Sequence, residues 1–401
     1  MSEFENEMAR RLEELSALHL RRELRRVDSP QGAGLIVDGL PLLNFSSNDY
    51  LGLSNHPALK EAAQKAVADF GAGAGASRLL CGSLAPFHEL ECALAAFKGT
   101  AAALTFSTGH AAALGAIPAL MGKDDVVIID KRVHASIVDG ARLSGARLRV
   151  FRHNDAADLE RILKWADARS PKPEGRRRRV LIVTESVFSM DGDLAPLREV
   201  IELKDRHGAW LMLDEAHATG LFGERRRGLV EAQELEGRVE IQMGTLGKAF
   251  GAAGGYIAGS RALIDILVNR ARSFIFSTAP VPAAAAAATA GLRLVQSQEG
   301  EVRRARLWQR VDQLKNELIG AGWPLAPVQS AIVPLVVGAE SRALNLAAAL
   351  REHGIWIPAI RYPTVARNTA RLRLTITADH APEAIAALGG VMAKLKSSLT
   401  L

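Results

Sequence analysis

The sequence predicts an α/β protein: a mostly parallel sheet flanked by helices, followed by a smaller α+β domain. Three observations carry this. From about residue 100, short apolar runs alternate with helical stretches, the pattern of βα units around a parallel sheet. Four of those runs end in polar, chemistry-bearing residues, where an open parallel sheet binds its ligands. After Trp323-Pro324 the strands shorten and the pattern changes, which marks a second domain. The expected organisation is an N-terminal helix and arm over residues 1–45, a large α/β domain over 46–285 and a small α+β domain over 286–401.

Residues 3–26 read as an amphipathic helix with Leu12, Leu15 and Leu18 on one face. A Pro/Gly turn follows at 28–34. Residues 44–53, Asn-Phe-Ser-Ser-Asn-Asp-Tyr-Leu-Gly-Leu, are polar yet aromatic and fit no plain element. Pro57–Phe70 reads as a helix with proline in its first turn. Residues 71–78, Gly-Ala-Gly-Ala-Gly-Ala-Ser-Arg, nominally fit the dinucleotide pattern G-x-G-x-x-A. A helix precedes them rather than a strand, so a flexible loop is expected instead. Buried strands are expected at Val126–Asp130, Arg147–Phe151, Val180–Glu185, 209–214 and 239–243, with one more at 254–259. Helices at 156–168 and Leu197–His207 separate them. The break Ser277-Thr278-Ala279-Pro280-Val281-Pro282 precedes a long Ala-rich helix reaching residue 318. In the small domain, strands at 332–337, 355–360 and 371–377 alternate with helices at 341–353 and 381–396.

Composition narrows the class. Nearly half of the 401 residues are apolar and aromatics are few, which suits an Ala/Leu/Val-rich core. No apolar run approaches the ~18 residues a membrane helix needs. The first seven residues are acidic and polar, unlike a secretory signal. Cys81 and Cys92 match no metal-ligand spacing and cannot build a disulfide framework. A reduced, cytoplasmic protein is expected. The net charge of +6 gathers in runs: Arg21, Arg22, Arg25 and Arg26, then residues 176–179, then 225–227. Such runs read as solvated faces. No basic stripe is interleaved with aromatics, which disfavours nucleic acid. An acidic ligand, such as a phosphorylated cofactor or carrier, makes better use of the excess.

The chemistry centres on Gly244-Thr245-Leu246-Gly247-Lys248-Ala249-Phe250-Gly251, a loop of small residues holding one lysine. A lysine so confined can be held against a bound carbonyl and form a Schiff base. A phosphate-binding P-loop fails twice: Gln242 stands where its first glycine belongs, and Ala249 where a Ser or Thr must follow the lysine. Alone, the octapeptide fits a turn with a surface lysine equally well.

The other strand ends change that balance. Asp130 is followed by His134, the strand Val180–Glu185 by Ser186 and Ser189, and the strand over 209–214 ends in Asp214-Glu215-Ala216-His217. Singly, Asp130 and Asp214 read as helix caps, His134 as a structural histidine and Ser189 as a turn residue. Jointly they suit pyridoxal phosphate (PLP). Its aldehyde needs a lysine, and its ring nitrogen needs a carboxylate, Asp214, to stay protonated as an electron sink. His217 suits the phenolate oxygen, and His134 suits stacking on the ring. Thr108-Gly109-His110, opening a helix over 111–120, offers backbone N–H groups to the phosphate.

Four motifs in order, residues 46–53, 214–220, 244–248 and 369–375, together resemble the α-oxoamine synthases, which are fold-type I PLP enzymes. The resemblance runs from about Arg25 to the C-terminal helix. It is nearest to the family member of biotin synthesis. It implies a decarboxylative condensation of L-alanine with a pimeloyl thioester, carried on CoA or acyl carrier protein, in a homodimer with shared active sites. It implies Lys248 as the Schiff-base lysine, Asp214 on the pyridine nitrogen, and His217 and Ser189 on the ring-oxygen side. His134 would stack on the ring and help acid/base steps. Gly109, His110 and Thr245 would lie along the phosphate, with Ser277 and Thr278 reaching a phosphate across the dimer interface. Arg361 would take the amino-acid carboxylate, for which a bidentate guanidinium is well shaped. Arg25 and Thr364 would line the acyl side, and Asn48 would lie near the substrate.

Two departures from the family pattern stand out. His110 occupies a position where the family commonly has an aromatic residue. The loop Arg361-Tyr362-Pro363-Thr364-Val365-Ala366 lacks two of the family's prolines and reads as less rigid. The nearest alternative is a sister enzyme using glycine and acetyl-CoA, against which the motifs at 46–49 and 364–373 weigh. A non-catalytic module on the same fold is the other, against which the complete Lys/Asp/His set weighs.

Overall fold

The computed structural model describes residues 2–168 and 178–398; Arg176 and Arg177 of the second arginine run lie outside them. The chain forms two compact units.

The larger unit comprises residues 51–189 and 193–304. Its sheet has seven strands in the order Ala102–Phe106, Gly255–Gly259, Ile241–Thr245, Trp210–Asp214, Val180–Glu185, Val126–Asp130 and Arg147–Phe151. The last five run parallel, and Gly255–Gly259 lies antiparallel to both its neighbours. Val126–Asp130 and Val180–Glu185 are buried at every residue, which is why they read as unbroken apolar runs. Alternate strand residues, among them Val127, Ile129, Leu181 and Val183, pack in one core with Ala113 and Ile117 of Gly109–Leu120 and Ile137 of Ala135–Leu143. These two helices approach closely at Gly140, where a Cβ would lie 2.9 Å from the Ala113 carbonyl oxygen.

Three expectations change along this part of the chain. The Ala-rich stretch after Pro282 is two helices, Pro282–Gln296 and Gln298–Gly320. Ser297 between them is extended, and its Oγ accepts from Gly300 N (3.3 Å), a side-chain cap that competes with helix continuation. The loop over 71–78 is tied down at its end. Ser77 bridges to Thr278, and Arg78 is buried with two N–H groups on the Glu91 carboxylate (2.9 and 3.0 Å). Within the third arginine run, Arg226 is buried and ion-paired with Glu301 (2.5 Å) rather than solvated.

The smaller unit comprises residues 1–50, 190–192 and 305–401. One three-stranded sheet joins Gly34–Val37, Leu40–Asn44 and Ile355–Trp356, and a second joins Ile332–Gly338, Ala370–Thr375 and Ala359–Ile360. Leu40–Asn44 pairs in parallel with Ile355–Trp356, stitching the N-terminal arm to the C-terminal part of the chain. The single strand expected over 355–360 is thus two strands in different sheets. Pro358 between them has no N–H to give a ladder. The polar yet aromatic stretch after Asn44 is an anchor without regular structure. Phe45 and Tyr50 are fully buried, and their carbonyls accept from Thr375 N and Ala378 N, both at 2.8 Å. The N-terminal helix is shorter than expected, Glu3–Ala17, with Leu12 and Leu15 exposed. It stops because His19 takes a left-handed backbone (φ 56) that no helix continues. Among the described residues, no helix is long and apolar enough to cross a membrane.

Candidate active site

In the larger unit the polar residues gather at the carboxyl ends of adjacent strands. Ile241–Thr245 runs into the lysine loop, which folds back toward Gly255–Gly259. Leu246 N and Thr245 Oγ1 both donate to the Gly254 carbonyl (2.9 and 3.0 Å), and Gly251 N donates to the Lys248 carbonyl (2.9 Å). Gly251 has φ +65, and a Cβ there would lie 2.5 Å from the Leu53 carbonyl carbon, so the loop is pressed against backbone. Lys248 is left half-buried, with Nζ 2.7 Å from Nε2 of His217.

Asp214 ends the neighbouring strand. It is buried, and its Oδ1 accepts from Ala216 N (2.9 Å). Burial raises its pKa, while Lys248 and His134 pull it back. A cation held against Asp214 favours its ionised form.

Glu185 ends the next strand, in register with Asp214. Burial first, and Asp214 second, push its carboxyl up to about 8, with Lys248 opposing. Its Oε1 accepts from His134 N (2.5 Å) and its Oε2 from Ser189 N (3.2 Å).

His134 is the cap of Ala135–Leu143: its Nδ1 accepts from Ser136 N (3.3 Å) and meets Ser136 Oγ (2.8 Å). The structural reading of this histidine as a helix cap thus accounts for Nδ1. Partial burial lowers its pKa; Asp214 raises it, and Lys248 and His110 lower it further. Asp130 is absorbed by structure, its two oxygens meeting Arg132 N (2.7 Å), His153 Nδ1 (3.0 Å) and Asn154 N (2.9 Å).

Gly109 and His110 open the helix Gly109–Leu120. The cap Thr108 accepts from Ala111 N (3.0 Å), so its hydroxyl does not engage the N–H groups of Gly109 and His110. A Cβ at Gly109 would meet Met243 and Thr245 at 3.7 Å, an ordinary contact. The protein's own packing does not require glycine there, as a close-lying ligand would. Ser277 and Thr278 follow the helix Arg272–Ile275, at the bridge to Ser77.

The other four residues expected in the site belong to the smaller unit. Arg361 is buried and donates through Nη1 to the His19 carbonyl and through Nη2 to the Arg21 carbonyl (3.2 Å). Its Nε is buried without a hydrogen-bond partner. Burial, then the charge of Arg22, lower the pKa of Arg361. Arg22 donates to the Tyr362 carbonyl (2.8 Å), so the start of this loop is held. Thr364 is exposed, with its N–H on the Arg361 carbonyl (3.0 Å). Arg25 is exposed and pairs with Glu23 (3.4 Å) and Asp38 (3.5 Å). Asn48 Oδ1 accepts from Arg373 Nη1 (3.1 Å).

With this geometry in hand, the comparisons are specific. The profile of the family "Aminotransferase class I and II" matches residues 41–389. The chain belongs to the class I and II aminotransferase family. It is 49% identical to an 8-amino-7-oxononanoate synthase of Anaeromyxobacter dehalogenans, over 92% of this chain and 90% of that protein. Among solved structures it superposes with TM-score 0.90 on a serine palmitoyltransferase variant from S. paucimobilis with bound PLP–myriocin, at 31% identity over 98% of this chain and 97% of that one. It superposes with TM-score 0.75 on an 8-amino-7-oxononanoate synthase from Francisella tularensis, at 27% identity over 90% of this chain and 99% of that one.

Within this aminotransferase-family fold, two buried acids went unassigned by the sequence reading. Glu185 had a signal, a carboxylate closing a strand that opens with four apolar residues. Glu215 is buried and receives Lys98 Nζ (2.5 Å), Leu229 N (2.6 Å) and Val230 N (3.1 Å). Lys98 Nζ also donates to the Arg227 carbonyl (2.5 Å). Nothing local in the sequence marks the partner of Lys98, 117 residues away.

Proposed function

We propose that this chain condenses L-alanine with a pimeloyl thioester in biotin biosynthesis, releasing 8-amino-7-oxononanoate, carbon dioxide and the free thiol, with PLP as cofactor. The observation that carries the reading is 49% identity over nearly the full length of an 8-amino-7-oxononanoate synthase. The residues present suit PLP: a lysine amine against an imidazole, a buried carboxylate in need of a cation, and a helix start whose glycine the protein's own packing does not require. When bound, PLP supplies an aldehyde that takes up an amine and a protonated ring that withdraws electrons.

The remaining roles fall to the chain. Lys248 anchors the cofactor and, once released, is the base for the α-proton of alanine. His217 at 2.7 Å receives a proton from that amine or returns one. Asp214 would hold the ring nitrogen, His217 and Ser189 would serve the ring oxygen, and His134 would stack on the ring. Gly109, His110 and Thr245 receive the phosphate. Arg361, with its buried Nε awaiting an acceptor, takes the alanine carboxylate. Arg25, Asn48 and Thr364 line the acyl side.

The working assembly in this reading is a homodimer. Phe276, Leu80, Val281 and Phe70 are exposed in the larger unit, the first two at 71% and 81%, and Ser277 and Thr278 lie between Phe276 and Val281 in sequence. A second copy covering this surface removes apolar area from water and brings Ser277 and Thr278 to a phosphate of its partner.

The likeness to serine palmitoyltransferase favours a second reading, with serine and a long acyl thioester. The lower identity weighs against it. Thiol release decides: alanine with pimeloyl-CoA or the pimeloyl carrier protein should turn over, whereas serine with palmitoyl-CoA, or glycine with acetyl-CoA, should not. Turnover confined to either other pair overturns the assignment.

A further inference from the structure

We propose that Glu185 is a positioning residue of this site: its carboxylate clamps the main chain at His134 and at Ser189 and so sets where both side chains stand. The inference rests on the PLP reading above for its consequence, and on geometry for its existence.

Glu185 and Asp214 are register partners on adjacent parallel strands. Partners in register project to the same face of a sheet, so two carboxylates stand side by side at the strand ends. They do different work. Asp214 accepts from Ala216 on its own strand's exit, leaving it available to a ligand. Glu185 spends one oxygen on each of two separate chain segments, His134 N at 2.5 Å and Ser189 N at 3.2 Å. Those segments leave different strands: His134 follows Val126–Asp130, and Ser189 follows Val180–Glu185 itself. The clamp therefore fixes the distance between two loops that no backbone ladder joins. Each residue is held a second time. His134 caps its helix through Ser136, and Phe188 N, just before Ser189, donates to the Asp193 carbonyl (3.0 Å). Removing Glu185 thus loosens the loops without releasing them.

A carboxylate is needed rather than any polar group. Both partners are N–H donors, a carboxyl oxygen accepts from each, and these two bonds favour the ionised form against the burial and the Asp214 charge that raise its pKa. An amide of the same shape turns its NH₂ toward one of them, leaving a buried donor facing a donor. If Glu185 merely fills space, Glu185→Gln is neutral. If it clamps, that variant loses one of two bonds while keeping its volume.

The test compares wild type and E185Q as full chains. PLP is titrated into each and followed by its visible absorbance. Hydrogen exchange is followed for peptides holding His134 and Ser189. Steady-state kinetics are measured with alanine and pimeloyl-CoA. E185Q should bind PLP about tenfold more weakly, with kcat reduced and KM for the thioester within about twofold. Exchange should quicken at His134 or Ser189, with the thermal midpoint nearly unchanged. Equal PLP affinity, spectrum, exchange and kcat in E185Q overturn the proposal. If E185Q does not fold, wild-type exchange decides: protection of both amides supports the clamp, and exposed-loop rates overturn it. Failure of wild type to take up PLP refutes the cofactor reading instead, and the two amides still report on the clamp.

Discussion

Lys248 Nζ lies 2.7 Å from Nε2 of His217. The two residues come from the ends of neighbouring parallel strands, so the contact exists only once the sheet is assembled. Lys248→Ala removes both the anchoring amine and the base. Its kcat is expected to fall about a thousandfold or more, and the visible band of bound PLP should disappear. Absorbance and thiol release measure this; full turnover in the variant sinks the scheme.

Arg361 is the residue proposed to take the alanine carboxylate, and its guanidinium also meets the chain's own backbone. Its Nη groups hold the His19 and Arg21 carbonyls, while Nε has no partner. Lysine keeps the charge and loses the fork. Arg361→Lys is expected to raise KM for alanine by about tenfold and to speed tryptic cleavage at Arg21 and Arg22. An unchanged KM would remove Arg361 from the alanine site.

Lys98 and Glu215 form a pair in which neither side chain reaches solvent. Glu215 in turn fixes the start of Leu229–Ala232 through two backbone N–H groups. Lys98→Met strands a buried carboxylate and should cost about 3–5 kcal/mol. The double variant Lys98→Met, Glu215→Gln should recover part of that. Denaturant unfolding of wild type, both single variants and the double variant gives the answer, and strict additivity would contradict the coupling.

His153 bridges Asp130 (3.0 Å) and Asp193 (2.7 Å). Burial alone lowers its pKa, but the hydrogen bonds and charges of the two carboxylates outweigh it and raise it from 6.5 to about 9. A raised pKa means the folded state binds the proton more tightly. The stabilisation is fully present below pH 6.5 and lost as pH rises through about 9. Against His153→Gln, wild type should therefore lose its stability advantage between those values. A pH-independent difference in thermal midpoint would refute the assignment.

Much of the scaffold was legible because its signals are local. Val126–Asp130 and Val180–Glu185 fall where apolar runs put them, since buried parallel strands read that way, and the helix Leu197–His207 follows its own periodicity; Arg147–Phe151, expected as a buried strand, lies at the sheet edge with only Phe151 buried, because an edge strand has a neighbour on one side alone. The misread elements turn on single residues whose effect is not periodic. Ser297 breaks a helix by capping, His19 ends one by a left-handed backbone, and Pro358 divides a strand.

The available chemistry is written in chain order: which residue types stand at the strand ends, in which order, around one lysine. Those choices are local, and short motifs hold them. Tertiary structure alone decided three matters. It set Glu185 beside Asp214 and gave it two loops to hold, because register between strands is a long-range property. It paired Leu40–Asn44 with Ile355–Trp356, tying the N-terminal arm to a strand more than 300 residues away. It turned Arg361 toward the carbonyls of His19 and Arg21, a use of that guanidinium which no spacing in the chain reveals.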